Sequence, residues 1–596
     1  MVSVHPLAEG ILHSHLGYGD LPGQAVIAVV PSPPLSTDPA RTPVGFVVAE
    51  LLGPGGKVAL QPGPVERVPG WTSGPYCRIP LPEGLAPGSY TVRVAVDGRE
   101  PRSEAFEVGP ERLQRQTMSD VLAYFKAMRS SGEIDRKDRT ARLWDDPTGT
   151  TVDARGGWLD ASGDTSKFLS HVTYTSTMSP QQIPLCAWAM LAARDQLIAH
   201  HPSLVRPLGA RLCDEALWGA DFLTRFRSPD GYFYTGIFDA LTKRLEERFI
   251  TAPLQNSVRT NRYQAAYRQG GGMAIAALAR ASTVDDDGDH TRFECLATAR
   301  TAFTHLEQHN LSYLFDNKES IIDDYTALLA ATELSAAELS AAPSLSAAAQ
   351  VFGADGSTAR EAARRRGGSL VGRYIRPDEG PGWFRADELG RPFFHAAEPG
   401  LPILALLRFA EVLPDAPEAE AARTTAVRAM LDVLDRTGSV PNPFGYPRSR
   451  VQPLDDSPRD AFFFPHSNET GYWWQGENAG IASLSAAAST CAQLPGLSAA
   501  DRTRLQTFAT DQLAWITGRN PFDTCMLQGR GRNNADYSPD FPNLPGGILN
   551  GITSGWTDES DLAFLPPEAP ESDSWRWSEQ WIPHTAWYLL AIATAP

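Results

Sequence analysis

A surplus of basic residues is missing from this 596-residue chain: Lys and Arg number 53 against 70 Asp and Glu, a formal net charge of −17. Such a field repels phosphate backbones and gives no footprint for counterion release, which excludes nucleic acid as the expected partner. Long apolar runs are missing too. The stretch 581–596 is broken by Pro583 and His584 and falls short of the ~20 residues that span a bilayer, so no membrane role is expected. Cysteine is scarce. Cys77, Cys186, Cys213, Cys295, Cys491 and Cys525 are widely spaced with no CxxC pair, which reads as buried free thiols. The first 24 residues have no basic cluster followed by an apolar run, the pattern of a cytoplasmic protein. No Gly-x-Ser-x-Gly elbow, His-Glu-x-x-His pair, dinucleotide fingerprint or P-loop occurs, so serine-nucleophile, zinc and nucleotide chemistry lack support, and neither metal nor cofactor is expected.

What is there is apolar and aromatic. The chain is 42% hydrophobic, with 14 Trp, 16 Tyr and 25 Phe, and has length for a large core and more than one domain. Up to residue 110, short β-rich runs punctuated by Pro and Gly cover 25–30, 44–52, 78–80, 90–96 and 104–108. The run from Tyr90 to Val96 alternates with period two, so these runs read as a β-sandwich of about 100 residues. At Pro110 the pattern changes. Leu113, Met118, Val121, Leu122, Phe125 and Met128 stand at helical spacing. Further helices are expected over 180–200, 206–226, 260–281, 292–307, 320–335, 340–350, 357–375, 399–412, 418–437, 472–493, 499–518 and 580–595. Alanine-rich helices joined by aromatic and Gly/Pro-rich loops suit a double ring of paired helices whose loops gather polar side chains into one cleft.

Two segments stand out for chemistry. Gly156-Gly-Trp-Leu-Asp-Ala-Ser-Gly-Asp-Thr-Ser-Lys-Phe168 places Asp160 and Asp164 on a glycine-containing turn beside Trp158. Carboxylates this close influence each other's ionisation, and such a turn can aim both at one point. The same pair would also serve as an Asx-turn that only caps the loop. Near the C-terminus, Glu579 lies among Trp575, Trp577 and Trp581. An apolar aromatic pocket disfavours a charged carboxyl and makes a proton donor near neutral pH, although an acid at a helix start is also what the dipole favours. One acid poised low and one poised high are what glycosidic cleavage needs.

Together these segments resemble glycoside hydrolase family 9, the cellulases and their relatives. The likeness runs from Leu16-Gly-Tyr18 through Gly156 to Phe168, on to Thr517-Gly-Arg-Asn-Pro-Phe522 and the Glu579 segment. The family's Gly-Gly-Trp-x-Asp-Ala-Gly-Asp loop is matched by Gly156, Gly157, Trp158, Asp160, Gly163 and Asp164, then Lys167 and Phe168. The resemblance implies an immunoglobulin-like β-sandwich over 1–110 followed by an all-α (α/α)6 barrel over 111–596. It implies that Asp164 activates water, Asp160 helps hold that water and Glu579 protonates the leaving oxygen, with inversion at the anomeric centre. Inverting carboxyls stand ~6.5 to ~9.5 Å apart. The chain departs from the pattern in four places. Ser162 is an extra residue between the two aspartates, and Ser578 stands where the family has Asn. Gly529-Arg-Gly-Arg-Asn-Asn-Ala-Asp-Tyr537 replaces a His-His-Arg sugar-binding run, and Trp474-Gln-Gly-Glu-Asn478 only loosely matches Trp-Gly-Ser-Asn. These mark a divergent branch.

The expected activity is therefore an inverting, exo-acting hydrolase of short β-linked oligosaccharides. His466, Tyr472, Trp473, Trp474 and Glu477 form a polar-aromatic cluster that could stack on a pyranose ring, or simply pack. Trp158, Asp324 and Arg532 complete the expected substrate contacts, Asp323 and Asp324 also reading as a capping pair. His395 and Glu398 have metal-like spacing that Pro399 spoils. Two rivals stand beside hydrolysis. One is a lyase or isomerase using Tyr472 and His466 for proton abstraction, with Arg519, Arg530 and Arg532 as cations for a uronate. The other is a sugar-binding protein whose catalysis Ser162 has broken.

Overall fold

The computed structural model describes residues 6–19, 22–30, 47–96, 99–345 and 357–595. Two antiparallel sheets fill the N-terminal region. β1 (Ile11–Leu12), β2 (Ala25–Val29), β5 (Val65–Glu66) and β6 (Tyr76–Pro80) pair in the order β1-β2-β6-β5. β3 (Val48–Gly53), β4 (Gly56–Leu60), β7 (Gly88–Ala95) and β8 (Phe106–Val108) pair as β4-β3-β7-β8. Period two does its work in β7: Tyr90, Val92 and Val94 are buried and meet Val26, Ala28 and Ile79 of the other sheet in one apolar cluster. Of the expected strand over 44–52, residues 44–46 lie outside the described residues.

From Arg112 the chain is mainly helical: α1 (Arg112–Met128), α2 (Gly132–Asp138), α3 (Ile183–His200), α4 (Pro202–Arg225), α5 (Gly272–Ala281), α6 (Arg292–Tyr313), α7 (Ile321–Leu345), α8 (Ser357–Gly372), α9 (Leu401–Val412), α10 (Ala419–Thr437), α11 (Asn478–Ala492), α12 (Ala499–Ile516), the short α13 (Trp575–Ser578) and α14 (Ile582–Thr594). Their packing closes on itself. α3 touches α5, α5 touches α7, and the succession continues through α9, α11 and α14 back to α3. α4, α6, α8, α10 and α12 each pack mainly against one member of that ring and touch a second, and α1 packs against α14 and α4. Every residue of α5 and of α14 is buried, as expected for helices apolar on all faces. No helix among the described residues is long and apolar enough to cross a membrane, and all six cysteines are free and buried.

Several helix boundaries differ from the sequence expectation: α4 starts earlier, at Pro202, α6 runs on to Tyr313, and three further differences have a local cause or continuation. The helix expected over 260–281 begins at Gly272, after a π-helical turn, Tyr267–Gly271, in which Gly270 adopts φ +98°. A side chain at Gly270 would collide with Leu169, so the turn keeps 265–270 against the ring's mouth. The helix expected over 472–493 begins at Asn478. Upstream, Asn468 Oδ1 accepts from Thr470 N–H and O–H, and Thr470 Oγ1 accepts from Trp473 N–H, local bonds that outcompete helix formation. The segment expected as a separate helix over 340–350 continues α7 to Leu345, and its remainder lies outside the described residues.

A small sheet braces the loops at one end of the ring. β9 (Ala141–Leu143), β10 (Thr151–Val152), β11 (Lys167–Phe168), β12 (Gly236–Phe238) and β13 (Phe249–Ile250) pair in the order β10-β9-β13-β12-β11. β11 follows directly on the Asp160–Asp164 loop and gives it a fixed exit.

Candidate active site

The aspartate loop is anchored before it is shaped. Lys167 is fully buried, with Nζ 2.6 Å from Asp138 and donating to the carbonyls of Ala154 (2.6 Å) and Gly156 (3.0 Å). Asp138 also takes a two-pronged pair from Arg248, at 2.9 and 2.8 Å. Burial pulls the Lys167 ammonium below its ordinary range, and the Asp138 charge opposes that. Within the loop, Asp160 N–H donates to Ser166 O, and Asp164 Oδ1 accepts from the N–H groups of Thr165 (2.5 Å) and Ser166 (2.9 Å). The Asx-turn is present, and it aims the carboxylate. Gly163 turns the chain at φ +62°, where an added Cβ would lie 2.7 Å from Phe541 Cα.

Glu579 arrives from the far end of the sequence on an extended segment between α13 and α14. That segment pairs on one side with the aspartate loop: Ala161 bridges Trp581, Ser162 N–H donates to Gln580 O (2.9 Å), and Ile582 N–H donates to Asp160 O (3.2 Å). On its other side Leu549 bridges Gln580, and Asn550 N–H donates to Glu579 O at 2.7 Å. Trp581 indole N–H donates to Glu579 Oε2 at 2.6 Å, which fixes one carboxyl oxygen.

The three carboxyls share one electrostatic environment. Burial, reinforced by the neighbouring Asp160 charge, raises Asp164 to about 6. Burial pushes Glu579 well above the ordinary carboxylate range. The Trp581 bond works against that, and the Asp160 and Asp164 charges add to it. Asp160 Oδ1 is buried with no protein partner, the kind of acceptor that a bound water satisfies. Two carboxyls of raised pKa and an unpartnered acceptor oxygen thus lie within electrostatic reach of one another.

Sequence reasoning missed three residues here. His171 sets Nδ1 3.5 Å from Asp160 Oδ2, and its ring lies 4.5 Å from Phe168, 5.1 Å from Trp473 and 5.4 Å from Trp581. Asp239, fully buried, accepts from Thr165 and Ser166 hydroxyls and from Leu241 N–H, and its charge reaches Asp164. Tyr537 is raised by burial first and then by the charges of Glu579 and Asp164. His171 follows the matched loop by only three positions and could have been read as its extension. Asp239 and Tyr537 carry no local signal.

Of the expected contacts, Trp473 lies beside the Glu579 segment, its ring 5.2 Å from Trp581, with Tyr472 next to it and 37% exposed. The six others are engaged by protein partners. Trp158 is wholly buried, its indole N–H bonded to Glu215 at 2.8 Å, and supports the loop from beneath. Trp474 is sandwiched between His466 (3.9 Å) and the Arg576 guanidinium (4.2 Å), which covers both of its faces. Glu477 accepts from Phe464 N–H at 2.7 Å, and burial raises it to about 8. Asp324 is buried in ion pairs with Arg366 (3.1 Å) and Arg373, tying α7 to α8. Arg532 pairs with Asp523 (2.7 Å) and Glu104 (2.8 Å), joining the helical region to the N-terminal sheets. His466 is held by Ser554 at 2.8 Å and by its stack on Trp474. His395 and Glu398 turn to the protein too: His395 Nδ1 accepts from two backbone N–H groups, and Glu398 accepts from Tyr325 O–H at 2.6 Å.

Residues 115–365, which include the aspartate loop, match the model for glycosyl hydrolase family 9, and that match marks the chain as a glycoside hydrolase. Among solved structures it is similar to a metagenome-derived glycoside hydrolase family 9 endoglucanase, with TM-score 0.64, 17% identity and 98% of each chain covered. It is also similar to the GH family 9 endoglucanase J30, with TM-score 0.60, 18% identity, 98% of this chain and 99% of that one. At such identities these likenesses establish the fold. No curated protein matches the chain.

Proposed function

We propose that this protein, as a divergent member of family 9, hydrolyses short β-linked oligosaccharides with inversion, Asp164 acting as base, Asp160 holding the attacking water and Glu579 acting as acid. One observation supports the assignment: 160–162 pairs with 580–582, which brings the aspartate loop and Glu579, a glutamate of raised pKa, together beside the ring cluster of His171, Trp473 and Trp581. In the reaction Asp164 takes a proton from water, whose oxygen attacks the anomeric carbon. Glu579 gives its proton to the departing glycosidic oxygen.

Exo action fits the segment 537–543, which closes the base side. Phe541 abuts Gly163, Lys243 lies over the Phe541 ring at 3.8 Å, and Asn543 bonds Ser162 at 2.7 Å. The helical region is read as an (α/α)6 barrel over 111–596, supported by the closed succession of six helices. Residues 1–110 are read as an immunoglobulin-like sandwich, supported by their two sheets and separate apolar cluster. Six buried free thiols suit a cytoplasmic setting. The lyase reading loses its cations, since Arg519, Arg530 and Arg532 pair with Asp511, Asp120 and Asp523.

A panel of β-linked oligosaccharides read by proton NMR tests the proposal. It should show α-anomeric product released first, one or two sugars at a time. An initial β-anomer would rule out inversion, mixed long products would rule out exo action, and ultraviolet-absorbing unsaturated products would restore the lyase.

A further inference from the structure

Ser162, the residue by which this loop exceeds the family spacing, is buried where the aspartate loop meets the Glu579 segment. Its N–H donates to Gln580 O at 2.9 Å, and Gln580 N–H donates back to Ser162 Oγ at 2.8 Å. The side-chain hydroxyl therefore takes the place of a backbone carbonyl in the short ladder. Its own proton goes to Asn543 Oδ1 at 2.7 Å, while Asn543 Nδ2 donates to Ser578 O (2.8 Å) and Ala535 O (3.2 Å). The hydroxyl thus binds both peptide neighbours of Glu579, one directly and one through Asn543. Asp160 and Asp164 each stand two positions from Ser162 on its own segment, opposite Glu579.

We propose that Ser162 is a positioning residue that sets the separation between the aspartates and Glu579, so that the extra residue is a working part of this site and not a lesion in it. The inference rests on the hydrolase assignment above. A buried hydroxyl with both donor and acceptor used has one orientation, and removing it leaves the buried Gln580 N–H without an acceptor and Asn543 Oδ1 without its donor. The segment then relaxes at Glu579, and displacement of about 1 Å at a reacting group costs on the order of a hundredfold in rate.

The test compares wild type, Ser162→Ala, Ser162→Thr and a variant lacking Ser162, each verified as folded by circular dichroism and melting. Ser162→Ala should lower kcat about tenfold to a hundredfold with KM within about twofold, because the loss falls on the arrangement of reacting groups and not on sugar binding. Its alkaline pH limb should also move, since Glu579 changes surroundings. Ser162→Thr, which keeps the hydroxyl, should recover much of kcat. Deleting Ser162 should reduce activity, although it restores the family spacing. Equal kcat and pH profile in Ser162→Ala, no recovery in Ser162→Thr, or a deletion variant as active as wild type would each overturn the role of Ser162 while leaving the hydrolase intact. A wild type inert toward every glycan in the panel would instead remove the hydrolase assignment and this inference with it.

Discussion

Asp164 and Glu579 must enter the proposed reaction in opposite protonation states, and their surroundings set the pH window. With Asp164 raised to about 6, kcat/KM should climb as pH rises through about 6. With Glu579 held well above the ordinary carboxylate range, activity should fall only at distinctly higher pH, and a pH–rate profile checks both limbs. Asp164→Asn and Glu579→Gln should each lower kcat by about 10² to 10⁴, read from initial rates. Stability should not follow activity. Both carboxyls have raised values in the folded state, so ionising them destabilises the fold as pH rises through those values. Each neutral variant should therefore match or exceed wild type in Tm at pH 7. These residues were legible because their neighbours in sequence, Gly156 to Phe168 and Trp575 to Trp581, carry a recognisable pattern. Trp158 shows the limit of that reasoning. The motif locates the tryptophan, but only its contact with Glu215 shows that it faces the core.

Among the elements, β11 and α2 matter most to the site, because the buried triad Lys167, Asp138 and Arg248 pins the start of β11 to the end of α2. Removing the carboxylate strands two buried cations. Asp138→Asn should cost about 3 to 5 kcal/mol in urea unfolding and reduce turnover, because the aspartate loop exits through Lys167. A Lys167→Met and Asp138→Asn double variant should cost less than the sum of the single changes, since the pair desolvates together. The helices themselves were readable from apolar spacing and alanine content. Their starts were less so: at Gly272 and Asn478 the chain delays the helix because Gly270 must pass Leu169 and because Asn468 and Thr470 bind local N–H groups.

For the molecule as a whole, Glu333 of α7 is the clearest cross-brace. It accepts from Trp188 of α3 (3.0 Å), Arg280 of α5 (2.5 Å) and Arg408 of α9 (3.1 Å), so one carboxylate joins four helices of the closed succession. Burial alone would raise it, but Arg280 and Arg408 outweigh burial and bring it to about 2. A depressed folded value stabilises above the ordinary value of about 4.5, and the contribution is lost as pH falls from there toward about 2. The displacement is worth about 3 kcal/mol. Glu333→Gln should therefore melt well below wild type above pH 5, and the difference should narrow below pH 4; a constant difference in calorimetry would contradict this.

By itself the sequence determined the β-rich start, the helical remainder and the two acid-bearing segments, because each depends on periodicity or spacing within a few residues. Only the tertiary structure decided that those segments meet. Ser162 and Gln580 lie 418 positions apart, and they touch because α14, last in the chain, packs between α3 and α11 and closes the ring. It also decided which polar side chains serve the fold. Asp324, Arg532 and Glu477 have the composition of a sugar site, but ion pairing and burial commit them elsewhere, and such commitments depend on partners that local spacing does not specify.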